Sequence, residues 1–405
     1  MKLRQLAPPL LASAGLLGIT SSALAANGLP LKIGTVLPLT GSYGTYGKGC
    51  SVGLQIALKE VNAAGGVLGK PVTLLSEDDQ SDPTAGLNGA KKLIDADKVD
   101  IIVGTFASNV TLPILSYTTQ VGIPVATLSG APEISKIGKQ THLVYRFVAT
   151  EGVFGEADAL YARANGAKTA YVLAGNNAAQ LDANKHFEAR FTKEGGKVLG
   201  STIYEPGQAS YRSEAGKALA GKPDIVLLAA YTDDAVTLAK TLYQLSPQTK
   251  VVGPLYALND TFIKAVGPTV AEGKLAIDAM SAENSPAYAR VMPQYKQITG
   301  ESPTSNPYAI IDYDMVITVA LAAQAAGSTD PKVFTPFISK VANGPGKRVT
   351  SYEEGLAALK AGQSINYEGA SSPVDFDDSG DLKSMMFKTF KLTGGKVVAQ
   401  GTVAP

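Results

Sequence analysis

Tryptophan is absent, cysteine occurs once and histidine twice in this chain of 405 residues. A single cysteine, Cys50, rules out an intramolecular disulfide framework, and its place at the start of a predicted helix reads as a small buried apolar residue. His142 and His186 stand alone without ligand spacing, so no metal site is expected. Neither sign of charge is in excess. The 36 Lys+Arg against 35 Asp+Glu give a net charge of +1, which removes the electrostatic case for nucleic acid or an acidic membrane surface as a partner. Low-complexity tracts and charge blocks are also missing. From Asn27 onward no segment reads as apolar for long enough to cross a bilayer.

Motifs for chemistry are equally scarce. There is no G-x-S-x-G elbow. The stretch Pro38-Leu39-Thr40-Gly41-Ser42-Tyr43-Gly44-Thr45-Tyr46-Gly47-Lys48-Gly49 follows an apolar run from Leu31 and precedes a helix, a corner where backbone N–H groups and a helix dipole converge on an anion. Its spacing fits neither nucleotide motif. Gly41 and Gly47 are one residue too far apart for a P-loop and Lys48 is followed by Gly49, whereas Gly53 falls one position late for G-x-G-x-x-G. The acidic run Glu77-Asp78-Asp79 reads as a solvated loop leading to a helix cap at Asp82. No catalytic residue and no cofactor are assigned, and an enzyme is not expected.

What is present is a large apolar fraction, 45% of residues, enough for two domains. Lys2 and Arg4, the apolar Leu6 to Ile19 and Ala23-Leu24-Ala25 compose a secretion signal over residues 1–25, cleaved near Ala25; the exported chain is expected to be close to neutral and soluble. Strands at Leu31–Leu37, Val72–Leu75, Ile101–Val103 and Val125-Ala126 alternate with helices. A second series follows, with strands at Thr169–Leu173, Val198–Tyr204, Asp224–Ala229 and Val251-Val252 and helices at Glu151–Asn165, Asn184–Glu194 and Asp233–Gln244. This is the pattern of α/β architecture with two doubly wound lobes. A helical stretch, Tyr308–Ala326, and final strands at Val374–Phe376 and Met385–Leu392 close the chain. Among 17 tyrosines, Tyr43, Tyr46, Tyr231 and Tyr256 fall in loops after predicted strands, where open α/β sheets bind ligands. Together they suggest an aromatic-walled cleft.

Ile33-Gly34 through Pro38-Leu39-Thr40-Gly41, Tyr46-Gly47, Val61 to Gly66 and Asp78 to Pro83 resemble the leucine/isoleucine/valine-binding family, periplasmic solute-binding proteins of ABC importers. Val103-Gly104 with Ser108, Ala131-Pro132-Glu133, Ala229-Ala230-Tyr231, Gly253-Pro254 and Asp375 to Asp381 extend the resemblance along the whole exported chain. It implies a type I periplasmic binding protein fold: two lobes joined by a three-strand hinge, closing over a ligand. Lobe one would span residues 27–150 and 279–387, and lobe two 151–278 and 388–405. The implied partners are a small molecule and an inner-membrane ABC permease, with the protein periplasmic and monomeric. The alternative is a ligand sensor that reports to a signalling receptor.

By the same resemblance Ser108, with Phe106 and Ala107, and the Ser129-Gly130-Ala131 turn would hold a ligand carboxylate through neutral donors. Tyr46, Tyr231 and Tyr308 would form aromatic walls. The family's ammonium-binding glutamate is replaced by Leu255, its helping threonine falls at or beside Gly130, and a lobe-two tyrosine becomes Ala179. A buried ammonium opposite leucine would lose its charged partner. Two expectations stay open. Either the ligand is an organic acid or amide lacking an α-ammonium, such as an aromatic carboxylate, or Asp233 or Asp234 takes the ammonium of an ordinary amino acid.

Overall fold

In the computed structural model, residues 29–279, 282–300, 306, 308–383 and 385–405 are described. The secretion signal expected over residues 1–25 lies outside them. The first sheet is laid down by β1 (Lys32–Leu37), α1 (Gly44–Ala63), β2 (Thr73–Asp78), α2 (Pro83–Asp95), β3 (Ile101–Gly104), α3 (Ser108–Val121), β4 (Val125–Thr127), α4 (Pro132–Thr141) and β5 (Val144–Arg146). Its order is β2-β1-β3-β4-β5, and every neighbouring pair is parallel.

The chain then crosses to the second lobe. This contains α5 (Glu151–Ala164), β6 (Thr169–Gly175), α6 (Ala178–Lys193), β7 (Lys197–Tyr204), α7 (Arg212–Ala220), β8 (Ile225–Ala229) and α8 (Thr232–Leu245). It continues through β9 (Lys250–Pro254), α9 (Asp260–Val266), α10 (Pro268–Ala271) and β10 (Leu275–Ala279). A second crossing brings α11 (Pro286–Thr299), α12 (Tyr308–Ala326), α13 (Pro331–Ala342), β11 (Lys347–Val349), α14 (Tyr352–Lys360) and β12 (Ile365–Tyr367) back against the first lobe. A third delivers β13 (Phe387–Thr393) and β14 (Lys396–Val403), which add antiparallel to the second sheet, of order β14-β13-β10-β9-β8-β6-β7. Two doubly wound lobes are therefore built, as expected from the alternation of elements, and three crossings join them, as the resemblance implies.

Local chemistry sets the boundaries. Asp82 caps α2, accepting from the Ala85 N–H at 2.8 Å, with Pro83 in the first turn, and Thr150 caps α5 through Val153. Central strands buried on both faces, such as β3 and β8, are continuous apolar runs, as parallel sheets covered by helices require. Burial of each such Leu, Ile or Val contributes about 1.5–3 kcal/mol.

Several details differ from the sequence expectation. By length and composition α12 could cross a membrane, yet Tyr308 to Ala323 are all buried and the helix is the core of the first lobe. Its close packing depends on the glycines of α1: a Cβ at Gly53 would lie 1.8 Å from the Ala309 carbonyl oxygen. Gly53 thus serves helix packing, whereas Gly47 gives the Pro38 carbonyl of the preceding loop its close approach. Asp79 is fully buried rather than solvated, and Asp78 accepts from the N–H groups of Leu39, Thr40 and Gln80, fastening the β1–α1 loop. Among the described residues Val374–Phe376 forms no ladder, only an isolated bridge from Phe376 to Leu382. Cys50 is buried against Asp312, whose carboxyl raises the thiol's pKa further after burial has already done so.

Candidate functional site

A cavity of about 340 Å³, counting its mouth, lies between the lobes. From the first lobe Phe106, Ser108, Leu128, Gly130, Val148 and Tyr308 reach it; from the second, Glu151, Phe154, Tyr231 and Tyr256. Most of these residues occupy loops at the carboxyl ends of strands or the first turn of the helix that follows, where open parallel sheets place ligands. Three of them, Ser108, Glu151 and Tyr308, are the first residues of α3, α5 and α12.

Ser108 is buried, and its Oγ accepts the Ala131 N–H at 3.1 Å. Among the described residues no acceptor takes its own hydroxyl hydrogen, which can donate. The N–H groups of Val110 and Thr111 turn back to the Ala107 carbonyl, so those of Ser108 and Asn109 are the first-turn donors with no acceptor inside the helix. Hydroxyl, free N–H groups and the positive end of the dipole make this corner suited to a carboxylate. Ser129 lies behind the wall. Its hydroxyl is engaged with Thr111 Oγ1 at 2.5 Å and the Phe106 carbonyl at 3.0 Å. The loop carrying Ser129 to Ala131 is held from below by Arg146, fully buried, whose guanidinium donates to the carbonyls of both residues and to Asp381.

The aromatic residues divide between wall and frame. Tyr46 is not on the cavity wall: its ring stacks on Phe106 at 5.0 Å and 11° and meets Tyr308 edge-on at 6.0 Å. Its hydroxyl reaches the second lobe, pairing with Thr232 Oγ1 at 3.1 Å, donating to the Tyr256 carbonyl and accepting from Asn259 Nδ2. Tyr231 and Tyr256 face each other across 5.7 Å, and Phe154 stands 6.0 Å from Tyr256.

Other expected residues fall elsewhere. Ala179 is buried in the first turn of α6 and Leu255 donates its N–H to the Ile277 carbonyl; neither borders the cavity. Asp233 is exposed on α8, and Asp234 is committed to the Tyr211 hydroxyl and the Gly207 N–H.

Sequence reasoning missed Glu151. Its place after the cap residue Thr150 looks like an ordinary acid favoured by a helix dipole, and only the tertiary structure shows where it points. It is 9% exposed, and its Oε2 accepts the Tyr256 hydroxyl at 3.0 Å. A Cβ at Gly130 would sit 2.6 Å from Glu151 Cγ, so only glycine fits there. Burial pushes the Glu151 carboxyl up to about 7; the Tyr256 hydroxyl pulls it down, Asp182 raises it and Arg146 lowers it.

Comparison with known proteins gives the family. A periplasmic binding protein model matches residues 30–388. The chain belongs to this family. The Leu/Ile/Val-binding protein BraC3 of Rhizobium johnstonii is 26% identical over 377 residues, 91% of this chain and 93% of that one. Among solved structures, a leucine-binding protein LivK from Thermotoga maritima superposes with a TM-score of 0.80 at 23% identity, covering 93% of this chain and 99% of its own. A solute-binding protein of an ABC transporter from R. palustris, in complex with benzoate, superposes with a TM-score of 0.75 at 20% identity, covering 93% and 97%. Both share the two-lobed fold.

Proposed function

We propose that this chain is the extracytoplasmic solute-binding component of an ABC importer, enclosing a small carboxylate- or amide-bearing molecule by lobe closure and handing it to a membrane permease. The observation that carries this reading is Ser108: a buried hydroxyl, its lone pair taken by Ala131 and its hydrogen taken by no acceptor among the described residues, at the N-terminus of α3 on the wall of an interlobe cavity. Neutral donors of this kind hold a carboxylate without a full counter-charge. The Leu/Ile/Val-binding name of BraC3 and the benzoate of the R. palustris neighbour agree with a carboxylate-bearing cargo. The lining residues offer no nucleophile paired with a base, so binding rather than chemistry is the reading.

Calorimetry of ligand-free protein with amino acids, aromatic acids and short amides tests it. For whichever carboxylate binds, Ser108→Ala is expected to cost about 1.5–3 kcal/mol. Unchanged affinity would remove Ser108 from the site.

A further inference from the structure

Leu255 stands where the resemblance places an ammonium-binding acid, and Asp233 and Asp234 lie off the cavity. The cavity nevertheless has an acid. Glu151 is the one carboxyl group among its lining residues, and no Lys or Arg lines it. Glu151 Oε2 accepts the Tyr256 hydroxyl, and among the described residues no hydrogen bond reaches Oε1. That oxygen lies 3.0 Å from where a Gly130 Cβ would be, and the N–H of the next residue, Ala131, donates to Ser108. The carboxylate grip and the acid therefore flank a single peptide unit, Gly130–Ala131. Around them stand the rings of Phe154, Tyr231, Tyr256 and Tyr308, whose π faces attract a cation in a desolvated site.

We infer that Glu151 accepts a protonated amine of the ligand, so that the cargo is an aminocarboxylate with its carboxylate at Ser108, its ammonium at Glu151 and its apolar part against the aromatic walls. This rests on the solute-binding reading above and narrows it. The acid that meets the ammonium is supplied by the first turn of α5 rather than by the β9–α9 loop. Tyr256, next in sequence to Leu255, orients it through its hydroxyl. A carboxyl group left without this partner would be a desolvated acceptor facing the cavity, a cost that a donor-bearing ligand removes.

The test is calorimetry with matched pairs: L-leucine against 4-methylpentanoate, and L-phenylalanine against 3-phenylpropanoate, with benzoate as a fifth probe. An amine-bearing member is expected to bind at least about 10-fold tighter than its des-amino partner, as loss of a hydrogen bond to a charged group implies. Glu151→Gln, nearly isosteric, should erase that preference. Equal or tighter binding of the des-amino member or of benzoate to the unaltered protein overturns the inference and leaves the solute-binding reading standing, as does an amine preference that survives in Glu151→Gln. Failure of all five probes overturns the carboxylate-binding reading itself. Should Glu151→Gln not fold, the matched pairs on unaltered protein still decide.

Discussion

Replacing Arg146 with methionine removes a guanidinium that is wholly inaccessible to solvent. Five contacts go with it: Nε and Nη2 to Asp381 Oδ1 at 2.8 and 2.6 Å, Nη1 to the carbonyls of Ser129 and Ala131 at 3.3 and 2.9 Å, and Nη2 to Ser135 Oγ. The stem is matched in shape by methionine, so the cost comes from the partners left behind. Breaking a buried ion pair by removing one partner costs about 3–5 kcal/mol, because the remaining charge is uncompensated. Asp381 retains 14% of its side-chain exposure and water can reach it, which favours the lower end. The two carbonyls lose donors in the fully enclosed loop and push the other way. Urea denaturation of the ligand-free protein should therefore show a loss of about 3 kcal/mol or more at unchanged m-value. The double variant Arg146→Met with Asp381→Leu should recover a coupling of about 1–3 kcal/mol. A loss below about 1 kcal/mol, or strict additivity in the double variant, would refute the claim that this pair holds the site loop in place.

Further outcomes follow from other contacts. Tyr46→Phe keeps the stack on Phe106 but loses the hydroxyl bonds to Thr232, the Tyr256 carbonyl and Asn259, so the closed arrangement should weaken by about 1–2 kcal/mol; small-angle scattering should give a larger radius of gyration without ligand, and an unchanged profile would count against the interlobe role. Burial raises the carboxyls of Asp312, Asp278 and Glu151 to about 7, foremost through desolvation. Raised carboxyl values mean that the folded chain holds protons the unfolded chain has released, so this stabilisation is complete below about pH 4 and is lost as pH rises through about 7. The melting temperature should fall from pH 5 to pH 8, and Asp312→Asn, which cannot titrate, should narrow the gap; an undiminished gap would exclude Asp312 as a contributor.

The α/β class was legible because each central strand is a short apolar run and each helix carries its own period, both of which survive as patterns in one dimension. Ser108 and the turn at Gly130, expected together from the sequence, do line one cavity. Less visible were elements whose identity depends on context. The start of α6 at Ala178 was expected at Asn184, although Asn177 caps it through the Gln180 N–H. Strand β14 is mostly exposed and shows no buried face to give it a period. Phe154 sits inside a helix, where an aromatic reads as core. Glu151 needed Gly130, Tyr256 and the closing of two lobes before its direction had meaning, and no local pattern encodes that.

The path of α12 has a consequence for how the chain is made. Strands β1 to β5 emerge first, yet the helix that fills the core beside them begins at Tyr308, after β6 to β10 of the other sheet, and that sheet in turn gains β13 and β14 only from Phe387 onward. Neither half is complete until segments from beyond the other have been synthesised. A fragment ending at the first crossing lacks α12 from the core of the first lobe, and one ending at the second leaves the edge of β10 without β13.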